Sequence, residues 1–253
     1  MELLIKHGLV VSPEDGLNSE ADIYIRDGRI ADIGENLSFD GANIIDAEGL
    51  AVFPGLVDMH VHFREPGFEY KEDILSGSRA AAAGGYTSVC CMPNTKPAAD
   101  NAAVIEYIKR RAEKALCRVY PIAAITKNQE GRELTEMGEL LECGAVAFSD
   151  DGRPVESSRI MRLAMQYLKG LNGGFVISHC EDVSLTDGGV MNEGRQSTFL
   201  GLKGAPGAAE ALMVAREGLL AETLGVHVHI AHVSCAQSVN LIRDFKARGI
   251  KIT

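Results

Sequence analysis

From Val52 onward, the chain alternates short apolar runs with stretches whose apolar residues recur at helical spacing. Glycines precede five of these runs, at the position where a helix C-cap commonly ends one helix before the next strand begins. Repeated strand–helix units of this kind predict a parallel sheet, either doubly wound or closed as a barrel. The predicted strands span residues 55–62, 86–92, 118–125, 145–149, 175–179 and 226–232, and a further run starts at residue 250.

The first 52 residues have a different pattern, with short alternating strands, a hairpin turn signal at Asp27-Gly28 and no helical spacing. We therefore expect a small β-sandwich-like unit over residues 1–52 and a strand–helix domain over residues 53–253. A (β/α)8 barrel typically takes about 250 residues, more than the second segment offers, so a barrel here would lack its last part. The expected fold is α/β, a TIM-type (β/α)8 barrel truncated after about six strands, preceded by the β unit.

Charge and composition narrow the range of partners. A net charge of −10 argues against nucleic acid or an anionic membrane surface as the main partner, so an anionic small-molecule substrate would need a local cation or a metal. No window approaches the roughly 20 consecutive apolar residues of a membrane span, and the N-terminus does not resemble a signal peptide. Six cysteines without Cys-x-x-Cys spacing predict a disulfide-free, cytoplasmic protein.

Polar residues with metal-binding chemistry cluster at the ends of the predicted strands. His60 and His62 end the first strand, and period-two alternation directs both imidazoles to one face, where they can chelate one ion. A chance pair of histidines is the alternative, but imidazoles that point into a sheet interior need partners. Asp151, His179 and His232 lie at the ends of the fourth, fifth and sixth strands, and the C-terminal strand ends of a parallel barrel share one rim.

The sixth strand contains three histidines, and alternation divides them between two faces. His227 and His229 share one face, whereas Val228, Ile230 and His232 share the other. We expect the apolar pair to face the barrel interior, so that His232 joins the metal site. His227 and His229 should then point toward the surrounding helices, with structural roles.

The predicted ligand set consists of four imidazoles and at least one carboxylate, which suits zinc, although iron, manganese and cobalt fit the same ligand types. Two ions roughly 3.5–4 Å apart would use all of these ligands. Asp150 and Asp151 are adjacent and point in opposite directions if the strand continues, so spacing alone does not choose between them.

The motifs together resemble one known family, the dihydroorotases, a branch of the metal-dependent amidohydrolases. The similarity extends along the whole chain, and the combination of motifs in this order is highly specific, although no single motif is. The matching segments are Asp58-Met59-His60-Val61-His62-Phe63-Arg64-Glu65-Pro66-Gly67, Met92-Pro93-Asn94-Thr95, Phe148-Ser149-Asp150-Asp151-Gly152, His179-Cys180-Glu181-Asp182 and His232-Val233-Ser234.

The resemblance implies an enzyme with two zinc ions per subunit that interconverts N-carbamoyl-L-aspartate and (S)-dihydroorotate in pyrimidine synthesis. On this resemblance His60 and His62 bind one zinc, His179 and His232 bind the other, and Asp151 bridges them. The resemblance also places His62, Arg64 and Asn94 at the positions that hold the substrate. It further implies a homodimer at full length, and some family members associate with aspartate transcarbamoylase.

Two departures from the family pattern limit the assignment. Many relatives bridge their metals with a carboxylated lysine at the end of the fourth strand; Asp151 in this region instead resembles the bacterial dihydroorotases and argues against a hydantoinase. The family's proton-shuttle aspartate comes from the eighth strand, which would lie beyond Thr253. We therefore assign no residue of this chain as the general acid or base, and we expect the sequence to be a fragment of a longer enzyme.

Two other functions stay open at this point. One is another cyclic-amide hydrolase, such as an allantoinase or a hydantoinase. The other is a non-catalytic partner of aspartate transcarbamoylase, although a pure scaffold has no need of five intact ligands. The segment from residue 180 to residue 206 has no helical or strand period, so we expect a long loop there.

Overall fold

The computed structural model describes residues 2–253, and the chain divides into two compact units at Leu56/Val57. In the first unit, one five-stranded sheet has β1 at its centre, antiparallel to β2 and parallel to both β4 and β5. Asp27 and Gly28 join β2 to β3 with positive φ angles of 54° and 74°, so the predicted hairpin turn is confirmed. The strands are β1 (Glu2–Ser12), β2 (Leu17–Arg26), β3 (Arg29–Gly34), β4 (Asn43–Asp46) and β5 (Ala51–Val52).

The second unit is built on a curled parallel sheet of six strands that neighbour one another in chain order, β6-β7-β8-β9-β10-β13. A parallel bridge from Ile252 to Val228 lies beside the last strand, where the seventh run was predicted. The predicted parallel α/β architecture is confirmed. The strands are β6 (Leu56–Val61), β7 (Tyr86–Cys91), β8 (Arg118–Ala123), β9 (Ala147–Phe148), β10 (Val176–Ser178), β11 (Met191–Asn192), β12 (Gly204–Ala205) and β13 (Val228–Ile230).

Helices connect these strands, and a side-chain cap fixes the start of the first of them. Asp73 accepts hydrogen bonds from the backbone amides of Leu75 and Ser76, both at 2.8 Å, so helix α1 begins at Ile74. Within residues 2–253, no helix is long and apolar enough to cross a membrane. The helices are α1 (Ile74–Ala83), α2 (Ala102–Ala112), α3 (Met137–Glu142), α4 (Ser158–Lys169), α5 (Val183–Thr186), α6 (Arg195–Leu200), α7 (Gly207–Leu224) and α8 (Ala236–Ala247), with a short 3-10 helix at Lys127–Gln129.

The connection after β10 is more regular than its sequence suggests. Helices α5 and α6 and the two-stranded sheet β11–β12 all lie between Cys180 and Pro206. The prediction of a long loop without regular elements was therefore wrong. Elements of two to six residues contain less than two helical turns or two strand periods, so no periodicity could show them.

Two apolar layers cover the two faces of the parallel sheet. The larger layer lies between sheet and helices and contains Val228 and Ile230 from β13 together with Val214 from α7. The smaller layer lines the inner face of the curled sheet and consists of Met92, Ile122, Ala147, Ile177 and Ala231, with Cys90, Val146 and Phe175 packed against it. The C-terminal ends of the strands lie beyond this inner layer and carry polar side chains.

Candidate metal centre

All five predicted metal ligands lie together at the C-terminal rim of the sheet. Two groups of three ligands share Asp151, one with His60 and His62 and the other with His179 and His232. Within each group, the ligand atoms lie within 4.8 Å of one another. The residues come from the ends of β6, β9, β10 and β13, so the parallel sheet assembles them from distant parts of the chain.

Asp151 occupies the middle of the cluster. Its Oδ1 lies 3.4 Å from His60 Nε2 and 3.3 Å from His232 Nε2, and its Oδ2 lies 3.5 Å from His62 Nε2. Burial of Asp151 raises its pKa, but contacts with His179, His232 and His60 outweigh burial and hold the pKa well below its usual range. Asp151 is therefore a carboxylate placed to contact both histidine pairs.

Asp150 points the other way, which resolves the choice that spacing left open. Its Oδ1 accepts hydrogen bonds from the backbone amides of Ile125, at 2.8 Å, and Thr126, at 3.1 Å, and the Thr126 hydroxyl donates to Oδ2. Burial raises the pKa of Asp150 to about 6, against these donors. Asp150 thus joins the end of β9 to the end of β8, and of the two aspartates Asp151 is the one that faces the histidines.

The His60–His62 half of the centre is formed by a single strand. His60 near the end of β6 and His62 directly after it point to one face, with their two Nε2 atoms 3.2 Å apart. His62 Nδ1 lies 3.1 Å from Asn94 Oδ1, an arrangement in which Nδ1 donates and Nε2 keeps its lone pair for a metal. Burial lowers the pKa of His62, which favours the neutral imidazole that metals bind.

The His179–His232 half joins two neighbouring strands, β10 and β13. His179 Nδ1 lies 2.9 Å from His232 Nε2, while His179 Nε2 lies 2.9 Å from Glu181 Oε2. Burial lowers the pKa of His179, but contacts with Asp151 and Glu181 outweigh it and raise the pKa. Glu181 was not among the predicted site residues; its position two residues after His179, on the same face of an extended segment, was the signal that could have identified it.

The two faces of β13, the sixth strand of the parallel sheet, point in directions opposite to those predicted. Val228 and Ile230 are buried between sheet and helices, whereas the His227 ring lies 4.6 Å from a phenylalanine ring of the inner face and His229 shares that face. The predicted helix-facing position of His227 and His229 was wrong, because in a barrel the helix-facing layer also buries apolar residues. His232 still reaches the centre because its left-handed backbone, with φ of 30°, interrupts the alternation.

The chemistry of the ligand set fits divalent metal ions. Imidazole nitrogens approach each other to 3.2 Å in one half of the centre and 2.9 Å in the other. Two ring nitrogens cannot both present lone pairs at such distances unless a proton or a cation lies between them. Imidazole and carboxylate groups are ligands of zinc and of related divalent ions.

A cavity of about 660 Å³ opens beside the cluster, within the usual size range of small-molecule sites. Its lining includes the three predicted substrate-binding residues, His62, Arg64 and Asn94, together with Asp151. Lys71, Lys96 and Arg153 also line it, so this acidic chain surrounds the cavity with cationic side chains. An anionic ligand is therefore electrostatically favoured at this position.

Comparison with known families agrees with this geometry. The family model described as "Dihydro-orotase-like" matches residues 49–238, which include all five clustered ligands. The chain belongs to this dihydro-orotase-like family. Amidohydrolases of this kind depend on a divalent metal, in accord with the ligand set described above.

Curated relatives give the same family along the entire chain. A dihydroorotase of Pelotomaculum thermopropionicum is 58% identical over 253 residues, and a dihydroorotase of Geobacter sulfurreducens is 55% identical over 255 residues. Each match covers 100% of this chain, but only 59% and 60% of the respective relatives. The chain thus spans about three fifths of the length of the curated relatives that it matches.

Solved structures confirm the predicted TIM-type α/β fold. A D-hydantoinase structure superimposes with a TM-score of 0.79 at 27% identity and covers 100% of this chain and 56% of that protein. The L-hydantoinase (dihydropyrimidinase) of Arthrobacter aurescens gives a TM-score of 0.82 at 24% identity, with coverage of 99% and 57%. The six parallel strands described here therefore belong to an amidohydrolase barrel.

Proposed function

We propose that the chain carries the metal centre and the substrate-carboxylate site of a dihydroorotase, which interconverts N-carbamoyl-L-aspartate and (S)-dihydroorotate. One observation carries the proposal: Asp151 lies between two histidine pairs, beside a cavity lined by Arg64 and Asn94. The curated relatives named dihydroorotase, at 51–58% identity, support it. Because the chain spans about 59% of the first of these relatives, the proposal concerns the activity of the whole protein.

We infer that the centre holds two zinc ions per subunit, one at His60 and His62 and one at His179 and His232, with Asp151 between them. When bound, the metals would supply a nucleophile from water at neutral pH and polarise the amide carbonyl. The protein's own part is to fix the ligands. Asn94 orients His62 and Glu181 orients His179, each through the ring nitrogen that faces away from the centre.

Arg64 and Asn94 are proposed to bind the carboxylate of the ring substrate. The planar guanidinium of Arg64 offers two parallel N–H donors that match a carboxylate, and Asp151 is the one carboxylate among the described residues that line the cavity. Asn94 Nδ2 lies 3.4 Å from Asp151 Oδ2 and has a second hydrogen for the substrate. This side of the cavity would therefore fix the orientation of the ring against the metal ligands.

Proton transfer to the leaving ring nitrogen is assigned to none of the described residues 2–253. Asp151 and Glu181 are the two carboxylates at the centre, and both face imidazoles that hold their pKa values low. A carboxylate held in its charged form is a poor proton donor near neutral pH. Their positions suit ligand and orienting roles.

The proposal is tested with the zinc-loaded full-length protein and two ring substrates, dihydroorotate and an uncharged hydantoin. We expect Arg64→Met to raise the KM for dihydroorotate about 100-fold, as expected for about 3 kcal/mol of lost charged hydrogen bonding. The KM for the uncharged ring should change little. Arg153→Met is the matched control for loss of cavity charge: Arg153 lines the same cavity but is exposed, so the KM for dihydroorotate should rise far less than in Arg64→Met.

Three outcomes of that experiment discriminate between functions. Turnover of dihydroorotate with the expected selectivity of Arg64→Met supports the proposal. Preferential turnover of the uncharged ring by the wild type favours a hydantoinase or an allantoinase. Loaded protein that turns over neither ring contradicts both enzymes and favours a binding partner of aspartate transcarbamoylase.

The remaining parts of the proposal concern the protein in its cell. We propose a role in pyrimidine biosynthesis in the cytoplasm, a homodimer of the full-length protein and an association with aspartate transcarbamoylase. Elemental analysis that finds two zinc ions per subunit would support the metal assignment. Light scattering with and without the transcarbamoylase tests the assembly, and a monomer in both conditions would contradict it.

A further inference from the structure

The turn that follows His62 is anchored by a buried carboxylate outside the cavity lining. Glu65 is 3% exposed, and both of its oxygens are engaged. Oε1 accepts hydrogen bonds from the Tyr107 hydroxyl at 2.8 Å and from Arg111 Nε at 2.6 Å, and Oε2 accepts from the backbone amide of Ile74 at 2.9 Å. Glu65 therefore joins the turn to the start of α1 and to the C-terminal half of α2.

Arg64, the residue before Glu65, has a backbone conformation that requires support. Its φ is 58°, in the left-handed region that residues with a Cβ atom rarely adopt. Such a conformation persists only where the surrounding structure imposes it. The supports on either side are short hydrogen bonds, from the Glu65 amide to the Phe63 carbonyl at 2.7 Å and from the Phe68 amide to the Arg64 carbonyl at 3.0 Å.

The same turn packs directly against the backbone that carries Asn94. The Lys96 amide donates to the Pro66 carbonyl at 2.9 Å. Gly67 approaches so closely that a Cβ atom there would lie 2.1 Å from the Lys96 carbonyl oxygen. Any movement of the turn is thus transmitted to the segment after β7 on which Asn94 lies.

We propose that Glu65 is the positioning residue of the substrate-carboxylate site. This inference rests on the proposed function: Glu65 holds Arg64 and Asn94 in position through the turn at residues 64–67. Because Glu65 does not line the cavity, it acts on the substrate only through these two residues. Loss of its charge should therefore impair carboxylate binding while leaving the metal ligands in place.

The test uses Glu65→Gln in the full-length, zinc-loaded protein. The substitution keeps the shape but turns an amide hydrogen toward a position that donors already occupy. We expect the KM for dihydroorotate to rise about tenfold, since small displacements of positioning groups have effects of this order. We expect kcat to fall less than KM rises, and the zinc content to equal that of the wild type.

Asp22→Asn is the matched control. Asp22 is likewise a buried carboxylate, 3% exposed, and it accepts backbone hydrogen bonds from His7 and Leu37, both at 2.9 Å, within the N-terminal unit. The Asp22→Asn substitution should lower the free energy of unfolding, as Glu65→Gln does, without changing the KM for dihydroorotate. An equal rise in KM in both variants would show that Glu65 acts only through general stability and would overturn the inference.

A second variant separates positioning from loss of folding. In Glu65→Gln/Arg111→Met, the opposing charge is also removed, so the pair is neutral again. The KM of the double variant should therefore return at least part of the way to the wild-type value. Hydrogen exchange gives a readout that does not depend on turnover: the amides of residues 64, 65, 67, 68 and 94–96 should exchange faster in Glu65→Gln and recover in the double variant.

The results distinguish this inference from the proposed function. If the wild type does not turn over dihydroorotate, the proposed function fails, and hydrogen exchange alone decides whether Glu65 holds the two segments. If the wild type turns it over but Glu65→Gln leaves both KM and exchange unchanged, the inference on Glu65 is wrong. Loss of zinc from a folded Glu65→Gln would also overturn it.

Discussion

The two halves of the metal centre share Asp151 but are built in different ways. His60 lies on β6 and His62 directly follows it, whereas His179 and His232 are 53 residues apart and follow two adjacent strands. The first pair is set by local strand geometry. The second pair forms only when β10 and β13 are correctly paired in the sheet.

The outer partners of the two halves differ in charge. His62 contacts the neutral amide of Asn94, whereas His179 contacts the carboxylate of Glu181. Burial lowers the pKa of His62, whereas carboxylate contacts outweigh burial and raise the pKa of His179. A carboxylate partner makes an imidazole a more basic ligand, so the two positions should differ in metal affinity.

The largest expected effect comes from removing the residue that both halves share. Asp151→Ala should abolish binding of both zinc ions and all turnover, because each histidine pair then lacks the carboxylate that completes its group of three ligands. Elemental analysis of the purified variant and a ring-opening assay measure this. Asp150→Asn is a control that keeps Asp151 in place, and unchanged zinc content in Asp151→Ala would refute the shared-ligand assignment.

A smaller effect, confined to one half, is expected from Glu181→Gln. Loss of an outer partner typically weakens metal affinity about 10- to 100-fold, and here only the ion at His179 and His232 should be affected. A competition titration with a chelator should show one weakened site and one unchanged site. Asp182→Asn is the matched control, because the Asp182 carboxylate caps α5 and contacts Ser184 instead of an imidazole. Equal weakening of both sites would contradict the difference between the halves.

The smallest effect concerns the support behind His179. Glu217 is fully buried on α7 and accepts a hydrogen bond from Ser178, and burial raises its pKa. A carboxyl whose pKa is raised by folding stabilises the fold at low pH. This contribution is lost as the pH rises from the ordinary pKa of the carboxyl through its raised pKa. The free energy of unfolding of Glu217→Gln should therefore increase relative to that of the wild type as the pH rises. Denaturant titrations across the pH range measure this trend, and a relative decline would contradict it.

Local patterns in the sequence were sufficient for much of the site. Alternation correctly paired His60 with His62, and the strand–helix repeat placed Asp151 and His179 at the same rim. Alternation separated the two faces of β13 but did not show which face lies inside, since the helix-facing layer also buries apolar residues, and no local pattern encodes the left-handed backbone of His232. For the same reason, Asp150 and Asp151 could be distinguished only by the packing of β8 against β9.

The buried carboxylates were the least predictable feature. Glu65 and Glu217 are isolated acidic residues in the sequence, and each finds its partners only after the helices have docked. The distance along the sequence to the arginine partner differs between the two: Arg111 is 46 residues from Glu65, whereas Arg216 is adjacent to Glu217. No periodicity or motif rule links such pairs, because the contacts follow from the three-dimensional packing alone.

The order of the ligands along the chain has a consequence for biosynthesis. The His60, His62 and Asp151 group is complete before His232, which lies 81 residues after Asp151, has been translated. At ribosomal rates of about 5–20 residues per second, this interval lasts roughly 4–16 s. During this time, the nascent chain contains one complete group of three ligands and lacks the other, so both groups can assemble only after His232 has been translated.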